Sequence, residues 1–391
     1  MRILFCANNS PWHWPNGGLS TYLSEIVPTL LDKDHTVHIL SYITHTRINS
    51  VDVSQDNLHI HYADITEYKT RNWLNRNVSG YFRRAISLPY IQLSLTRKFR
   101  EVQSEFDFDI VETTAFDGIG LMPSYLSSAP CVLRLHLSPM LHPSTQDHLL
   151  DESYKFKPYL AMQNFLSRKT AQRHDHVLAN SETTKSFAES QWGIENVKTL
   201  PLPMQDRDVN RYECDHDFIL SCGRMTRGKG FEYIPKAMRA ILAKNPDMHL
   251  YIIGGDRDVA APFNLPSGMR DRIHTVYQLP RLKLLEYMKA AECVVLGSLW
   301  EPFGYVCLEA MMTGSIVVAS SGSGFEEQIR KSGENGFLFP PENLSKLQKA
   351  VSTVLSLSSD ETCRIEDNAR RRAEDFLGED TIDEQIRYYQ D

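Results

Sequence analysis

The sequence lacks the features that would place the protein in a membrane, in a secretory route or on nucleic acid. Its 391 residues contain no uninterrupted apolar run of 18 residues, roughly the length that a membrane-spanning helix needs. The first predicted strand gives way at once to polar and turn residues, so no signal peptide is expected. The formal net charge of −7 argues against general nucleic-acid binding, because such proteins neutralise phosphates with a basic surface. We therefore expect a cytoplasmic protein.

Motifs that hold disulfides, metals or cofactors are also missing. The seven cysteines form no C-x-x-C pair, and most lie in apolar runs, so reduced and buried thiols are expected. There is no H-E-x-x-H motif. The nearest D-x-D match, Asp107 and Asp109, comes just before a predicted strand, where a turn is the expected role. The sequence thus predicts no metal site and no cofactor.

What the sequence does contain is a strand and helix pattern that runs twice. Short β-branched runs alternate with helical periodicity, which is typical of doubly wound α/β units, and 391 residues suit two domains. The proline-containing segment 199–217 is predicted to link them, with domains over 1–205 and 206–375 and a C-terminal helix over 376–391 that could cross back. The predicted strands cover residues 2–7, 36–42, 58–63, 108–112, 131–136, 176–179, 218–222, 249–254, 293–297 and 315–319.

The segment EPFGYVCLE, residues 301–309, places two carboxylates eight positions apart after a predicted strand. Open α/β sheets bind ligands at the carboxyl ends of their strands. Glu301 would lie in the loop and Glu309 about one turn into the next helix, while Gly304 lets the backbone approach a ligand. Such a pair can reach different parts of one elongated ligand, for example a nucleotide sugar. The alternative is a loop glutamate and a solvated helix glutamate without a ligand.

A basic, glycine-rich loop follows the first strand of the second half. GRMTRGKG, residues 223–230, offers Arg224, Arg227 and Lys229, and it matches neither a Walker A loop nor the G-x-G-x-x-G fingerprint. A nucleoside diphosphate must meet cations or N–H groups once it leaves water. The loop therefore predicts a diphosphate site, and the alternative is a basic turn in solvent.

Together these segments resemble the retaining GT-B glycosyltransferases that carry the E-x7-E signature. NGGLSTYL at 16–23, RLHLSP at 134–139 and SGSGFEEQIRKSGENGFLFPPEN at 321–343 are similar to the same family in the same chain order. The resemblance covers residues 1 to about 350. It implies a GT-B fold, with two Rossmann-like domains that face an interdomain cleft. The second domain would bind the donor, and the first would bind the acceptor.

The resemblance also implies roles for individual residues. Those near the reaction centre are His136 and Glu301. The donor diphosphate would be bound by Gly18, Arg224 and Lys229. The donor sugar and ribose would be held by Phe303, Gly304, Tyr305, Val306 and Glu309. Weaker matches are Gly17, Asn180, Arg227, Leu279 and Glu327. In this family the departing phosphate takes the acceptor proton, so no residue is assigned as a covalent nucleophile.

The expected function is transfer of a hexose-type sugar with retention, from a UDP-sugar or, as second choice, a GDP-sugar. The acceptor would be a hydroxyl of a glycan, a lipid-linked molecule or a small molecule. Two alternatives stay open: a nucleotide-sugar epimerase or hydrolase on the same scaffold, and a non-catalytic protein that binds nucleotide sugars.

The stretch 68–100 contains eight basic residues and no acidic one, interleaved with aromatic residues. Basic amphipathic stretches suit anionic lipid surfaces or phosphorylated acceptors. Two interpretations stay open: a helix with a solvated basic face, or a surface that docks peripherally on the inner face of the membrane.

Overall fold

The computed structural model describes residues 1–8, 11, 17–43, 56–65, 80–137, 157–254 and 267–390, and for residues 80–87, 157, 158 and 267 the backbone alone. The chain folds into two compact units, Met1–Gln205 with Gly378–Asp391, and Asp206–Leu377. Each unit contains a parallel sheet connected by helices, which confirms the predicted pair of α/β units. In the described part of the chain, no helix is long and apolar enough to cross a membrane.

The first unit is built on a parallel sheet with the strand order β3-β2-β1-β4-β5-β6-β7. These strands are β1 Arg2–Cys6, β2 Thr36–Ile43, β3 Leu58–Asp64, β4 Ile110–Thr114, β5 Cys131–Leu135, β6 His176–Ala179 and β7 Val197–Thr199. Its helices, as far as they are described, are α1 Gly18–Asp32, α2 Gly80–Glu105, α3 Pro123–Leu126, α4 Lys157–Arg173 and α5 Glu182–Phe187, followed much later by the C-terminal helix Gly378–Gln390.

The central strands are buried on both faces, which the apolar sequence explains for β1 but not for the partly polar β4. β1 reads RILFC and buries its last four residues, and all five residues of β4 are buried. In α1, Tyr22, Ile26 and Leu30 recur at intervals of four, so one face of the helix packs into the core. At the entry to β4, Asp109 Oδ2 accepts the backbone N–H of Arg2 at 2.6 Å. That contact fits the turn predicted for the D-x-D match.

The C-terminal helix joins the first unit through buried polar groups. Glu112 in β4 is 3% exposed and accepts hydrogen bonds from Tyr22 at 2.7 Å, from Gln385 at 2.9 Å and from Tyr389. Arg134 Nε lies 3.6 Å from the same carboxylate. A buried carboxylate is costly unless it is paired and hydrogen-bonded, so these contacts fix the helix against the sheet.

The second unit repeats this design with the strand order β10-β9-β8-β11-β12-β13, again parallel throughout. Its strands are β8 Phe218–Cys222, β9 His249–Ile253, β10 Ile273–Val276, β11 Cys293–Leu296, β12 Val317–Ser320 and β13 Phe337–Phe339. The described helices are α6 Ile234–Lys244, α7 Ser267–Arg270, α8 Arg281–Ala290, α9 Tyr305–Met312, α10 Gly324–Gln328, α11 Leu344–Val354 and α12 Ser359–Glu374.

Three short strands, β7, β10 and β13, were not predicted from the sequence. Each lies at the edge of its sheet and has three or four residues. Edge strands are often very short, and three or four residues give too little pattern to recognise; in β10, IHTV, all four residues are also partly exposed. Thr199, predicted as the first residue of the crossover, instead ends β7.

Only the C-terminal part of the basic stretch 68–100 has described side chains, and it lies in α2. Its buried apolar residues recur every three or four positions and are Leu88, Ile91, Leu95 and Phe99. Arg97 and Arg100 are exposed. This half of the helix therefore packs its apolar face into the unit and exposes a basic face. The side chains of the earlier basic residues lie outside the described residues, and membrane docking stays a prediction.

Candidate active site

The strand order of the second unit indicates where a ligand binds. The order reverses between the central neighbours β8 and β11, and open α/β sheets bind ligands at the carboxyl ends of the strands at such a reversal. The loop after β8 contains the predicted diphosphate cations, and the loop after β11 contains Glu301. Folding thus brings together Lys229 and Glu301, which are 72 residues apart in the sequence.

The two loops pack backbone against backbone. Gly230 has a φ of +80°, and a Cβ there would lie 2.2 Å from the carbonyl oxygen of Gly297, so only glycine fits. The N–H of Leu299 donates to the carbonyl oxygen of Gly228 at 2.9 Å. The Tyr233 hydroxyl donates to the carbonyl oxygen of Gly297 at 2.7 Å. These contacts fix the positions from which the charged side chains extend.

Lys229 and Glu301 form an ion pair between Nζ and Oε2. The Ser298 hydroxyl donates to the same carboxylate oxygen at 3.2 Å. The side chains of Lys229 and Glu301 are 22% and 13% exposed, so the pair is largely withdrawn from water. By contrast, Arg224 is exposed and forms no ion pair with another described residue. Arg227 lies near the surface, where its Nε is 3.4 Å from Glu232.

Glu309 is held by a residue that the sequence did not predict, Arg281. Arg281 Nε donates to Glu309 Oε1 at 2.6 Å, and the two side chains are 26% and 11% exposed. Arg281 begins α8, directly after the segment that contains Leu279, which is partly buried. Burial raises the pKa of the Cys222 thiol, and the charge of Glu309 raises it further while Lys229 opposes the rise. Both charges therefore act on the same end of β8.

The loop 301–304 leads into α9 by way of a glycine in the left-handed region. Gly304 has a φ of +91°, and a Cβ there would lie 2.3 Å from a ring carbon of Phe325. The rings of Phe303 and Tyr305 are both buried and meet edge to face at 5.3 Å. Val306, in the first turn of α9, is partly exposed. The aromatic side chains thus pack into the protein.

The helix α10 supports this loop from the other side. The N–H of Gly324 donates to the backbone oxygen of Glu301 at 2.8 Å, and Gln328 donates to the backbone oxygen of Phe303 at 2.8 Å. Glu327 is partly buried, and its backbone oxygen accepts a hydrogen bond from Arg372 at 2.9 Å. Both α10 and the predicted donor loop are therefore parts of one hydrogen-bonded assembly.

In the first unit, Gly17 and Gly18 lie at the start of α1. Gly17 is the N-terminal cap residue, with a φ of +105°, and a Cβ on either glycine would meet no described atom within 4 Å. The N–H groups of a helix start have no partner within the helix and favour anions. Among the described residues, this end of α1 therefore has no side chain packed against its hydrogen-bond donors.

His136 directly follows β5, and its ring centroid lies 5.0 Å from that of Tyr22. Burial, with the charge of Arg134 as a smaller cause, lowers its pKa to about 3, so the imidazole is neutral at neutral pH. Its Nε2 is buried and has no hydrogen-bond partner in the described part of the chain. Asn180 donates to the backbone oxygen of Leu135 at 3.1 Å and so fixes the strand end from which His136 extends.

Comparison with known proteins gives one consistent result. Residues 205–372 match the family model described as Glycosyl transferases group 1, and residues 16–203 match Glycosyltransferase Family 4. An uncharacterised glycosyltransferase of Haemophilus influenzae is 25% identical over 305 residues, which cover 76% of this chain and 81% of the relative.

Two solved structures share the fold. Sucrose-phosphate synthase from Thermosynechococcus elongatus has a TM-score of 0.79 at 18% identity and covers 100% of this chain and 98% of its own. Anabaena HepE in complex with UDP-glucose has a TM-score of 0.71 at 20% identity, over 99% and 98% of the two chains. These similarities confirm the GT-B fold. Because the two family models match adjoining segments that span residues 16–203 and 205–372, the chain belongs to the GT-B glycosyltransferases.

Proposed function

We propose that this protein transfers a hexose-type sugar, with retention, from a UDP-sugar to a hydroxyl of a glycan, a lipid-linked molecule or a small molecule. The second unit binds the donor, and the first binds the acceptor. The observation that carries the proposal is the pair of largely buried carboxylates, Glu301 and Glu309, each held by a cation beside the strand reversal. Buried paired carboxylates at a ligand-binding edge suit the recognition of sugar hydroxyls.

Arg224 and Lys229 bind the diphosphate in this proposal. A nucleoside diphosphate brings about two negative charges, which need cations or N–H groups once they leave water. Arg224 is exposed and forms no ion pair with a described residue, so its guanidinium is available to phosphate oxygens. Lys229 lies beside Glu301 and can contact the phosphate on one side and the sugar-binding carboxylate on the other. Gly18, with Gly17 beside it, offers helix-start N–H groups to phosphate oxygens in this proposal.

Glu309 accepts hydrogen bonds from the ribose hydroxyls. A carboxylate has two oxygens and about four acceptor positions, so Arg281 can occupy one of them while the ribose uses others. Arg281 thereby orients Glu309. Because Anabaena HepE has been solved with UDP-glucose, a UDP-sugar is the first donor to test, and a GDP-sugar is the second.

The chemical step uses charge and position. Glu301 accepts hydrogen bonds from the transferred sugar and stabilises positive charge at its anomeric carbon. The backbone of residues 303–305 holds that sugar. His136 is neutral, so it hydrogen-bonds a sugar hydroxyl through an uncharged imidazole. The departing phosphate accepts the proton of the attacking hydroxyl, and attack from the same face gives retention.

A ligand screen followed by product analysis tests the proposal. Thermal unfolding is measured with UDP, GDP, ADP and their sugars; a ligand at 100 times its Kd stabilises by about 2.7 kcal/mol. Transfer from the best donor to an acceptor panel is then followed by proton NMR, and an α-linked product from an α-linked donor is expected. Failure of every nucleotide to raise the unfolding temperature, or an inverted product, would refute it.

Incubation of the donor without acceptor separates the alternative functions. A transferase converts the donor slowly under these conditions, whereas an epimerase or hydrolase converts it rapidly and completely. Nucleotide binding without turnover on any acceptor would indicate a non-catalytic protein.

A further inference from the structure

A second group of chemically active side chains lies at the opposite edge of the sheet in the second unit. His216 comes two residues before β8, His249 is the first residue of β9 and His274 is the second of β10. Because these three strands are parallel neighbours, their starts share the amino-terminal edge. One ring nitrogen from each histidine lies within 4.8 Å of a ring nitrogen of each of the other two.

The three imidazole rings stack on one another, and two of their nitrogens face each other. His249 Nδ1 lies 2.8 Å from His274 Nε2, and His216 Nε2 lies 3.2 Å from the Tyr251 hydroxyl. The rings of His216 and His249 stack at 3.8 Å, and those of His249 and His274 at 5.1 Å. Two facing ring nitrogens can share only one proton, so at least one lone pair points into the cluster.

Asp215 supports one of these rings from outside. Its Oδ1 lies 2.9 Å from His216 Nδ1. A carboxylate on one ring nitrogen fixes the tautomer and leaves the other nitrogen as an acceptor, which is the usual arrangement around metal-binding histidines.

A comparable stack in the first unit shows what a packing cluster looks like. There, His38 Nδ1 lies 3.0 Å from His61 Nε2 and the two rings stack at 5.2 Å, while the His59 ring lies tilted against His38 at 4.5 Å. Within the described residues, however, only the trio in the second unit brings three candidate ligand atoms within 4.8 Å. His216 and His249 also line a surface depression, so an ion can reach them from solvent.

We propose that His216, His249 and His274 bind a transition metal ion of the Zn²⁺ type through three imidazole nitrogens. Three imidazoles with an open fourth position suit Zn²⁺, and imidazole is also a good ligand for Co²⁺ and Ni²⁺. The fourth position would hold water or the Tyr251 hydroxyl. Binding would tie together the starts of β8, β9 and β10. Five strand residues at about 3.3 Å each place this edge roughly 15 Å from the donor loops, so the ion would stabilise the fold and leave the transfer chemistry to the other edge.

Metal binding by the full chain without a histidine tag tests the inference. After treatment with a chelator and its removal, calorimetric titration with ZnCl₂ should show one ion per chain, and Co²⁺ should give visible absorption that Zn²⁺ displaces. His249→Gln and His274→Gln should each abolish both signals. Asp215→Ala should weaken binding about 10- to 100-fold; its side chain is 99% exposed, so the fold is not at risk.

The first unit supplies the matched control. His59→Gln removes a ring from the comparable stack and should leave Zn²⁺ affinity unchanged. The thermal unfolding midpoint in the presence of chelator shows whether each variant folds as the wild type does. Three results would overturn the inference: no Zn²⁺ or Co²⁺ binding by the wild type, full binding by both histidine variants, or unchanged affinity in folded Asp215→Ala. Loss of the site in His59→Gln would place the metal elsewhere and overturn it equally.

Discussion

Replacing the two proposed diphosphate cations one at a time separates donor binding from folding. Arg224 is exposed and forms no ion pair with a described residue, so Arg224→Met should change the free energy of unfolding by less than about 0.5 kcal/mol. Lys229→Met leaves the Glu301 carboxylate, 13% exposed, with the Ser298 hydroxyl beside it. Removing the partner of a largely buried charge should cost about 1–3 kcal/mol.

Both substitutions should weaken donor binding, and Lys229→Met should weaken it more than Arg224→Met. A hydrogen bond to a charged group contributes about 1.5–3 kcal/mol, which is roughly 10- to 150-fold in Kd. Arg224→Met should therefore weaken UDP binding within that range. Lys229→Met should weaken it more, because the uncompensated charge of Glu301 then repels the diphosphate. Adding Glu301→Gln to Lys229→Met removes this charge and should restore stability and part of the affinity for UDP, without restoring transfer.

Calorimetric titration with UDP and urea unfolding measure the two quantities on the same samples. UDP carries no transferred sugar, so the loss of a sugar contact by Glu301 does not confuse the result. Lys236→Met, at an exposed lysine in the following helix α6, is the control for net charge. If Lys229→Met unfolds more easily but binds UDP like the wild type, Lys229 is only the structural partner of Glu301, and the diphosphate assignment is wrong.

Three further predictions follow from local geometry. In Gly304→Ala a Cβ would lie 2.3 Å from an aromatic carbon at a φ of +91°, so urea unfolding should show a loss of about 1–3 kcal/mol in the free energy of unfolding. Gly18→Ala, where a Cβ meets no described atom within 4 Å, should keep its stability and slow transfer. Equal stability of both variants would contradict the packing around Gly304. The pKa of His136, about 3, lies below its unfolded value of about 6.5, so the free energy of unfolding should fall as the pH drops between these values. His136→Gln should flatten that part of the curve of stability against pH, although other buried histidines keep some slope. An unchanged slope would mean that His136 is accessible to water in the native state. If the basic stretch docks on membranes, the double variant Arg83→Glu, Arg84→Glu should float less with anionic vesicles than the wild type. Undiminished flotation of the variant, or no flotation of the wild type, would support a solvated helix face instead.

The sequence predicted the parts of the site that lie on single segments next to strong strands. Glu301 and Glu309 share one nine-residue run after the buried strand β11, and the loop with Arg224 follows the buried strand β8. Fully buried central strands read as continuous apolar runs, so their ends can be placed from sequence. The loops that leave these strands were therefore placed correctly.

The sequence did not predict the contacts of Arg281 or of the three histidines, because these contacts do not lie on single segments. Arg281 lies 28 residues before its partner and starts the helix after β10, an edge strand with no clear apolar signal. His274 lies within that same strand, and the three histidines meet only because β8, β9 and β10 are neighbours in the sheet. Contacts that depend on strand order carry no local pattern, and this is why the sequence alone could not reveal them.

Two carboxylates in the proposed donor site would repel the donor unless their charges were balanced. At a separation of 4 Å two like charges oppose each other by about 4 kcal/mol at an effective dielectric constant of 20. Lys229 and Arg281 already neutralise Glu301 and Glu309 in this structure, so that, among the described cations of the proposed site, Arg224 remains without a carboxylate partner. The carboxylates keep further lone pairs for sugar hydroxyls. In the proposed function Arg281 therefore positions Glu309 and also balances its charge. Part of the donor affinity lost in Arg281→Ala should return at high salt, where repulsion is screened. A loss that salt leaves unchanged would assign Arg281 to orientation alone.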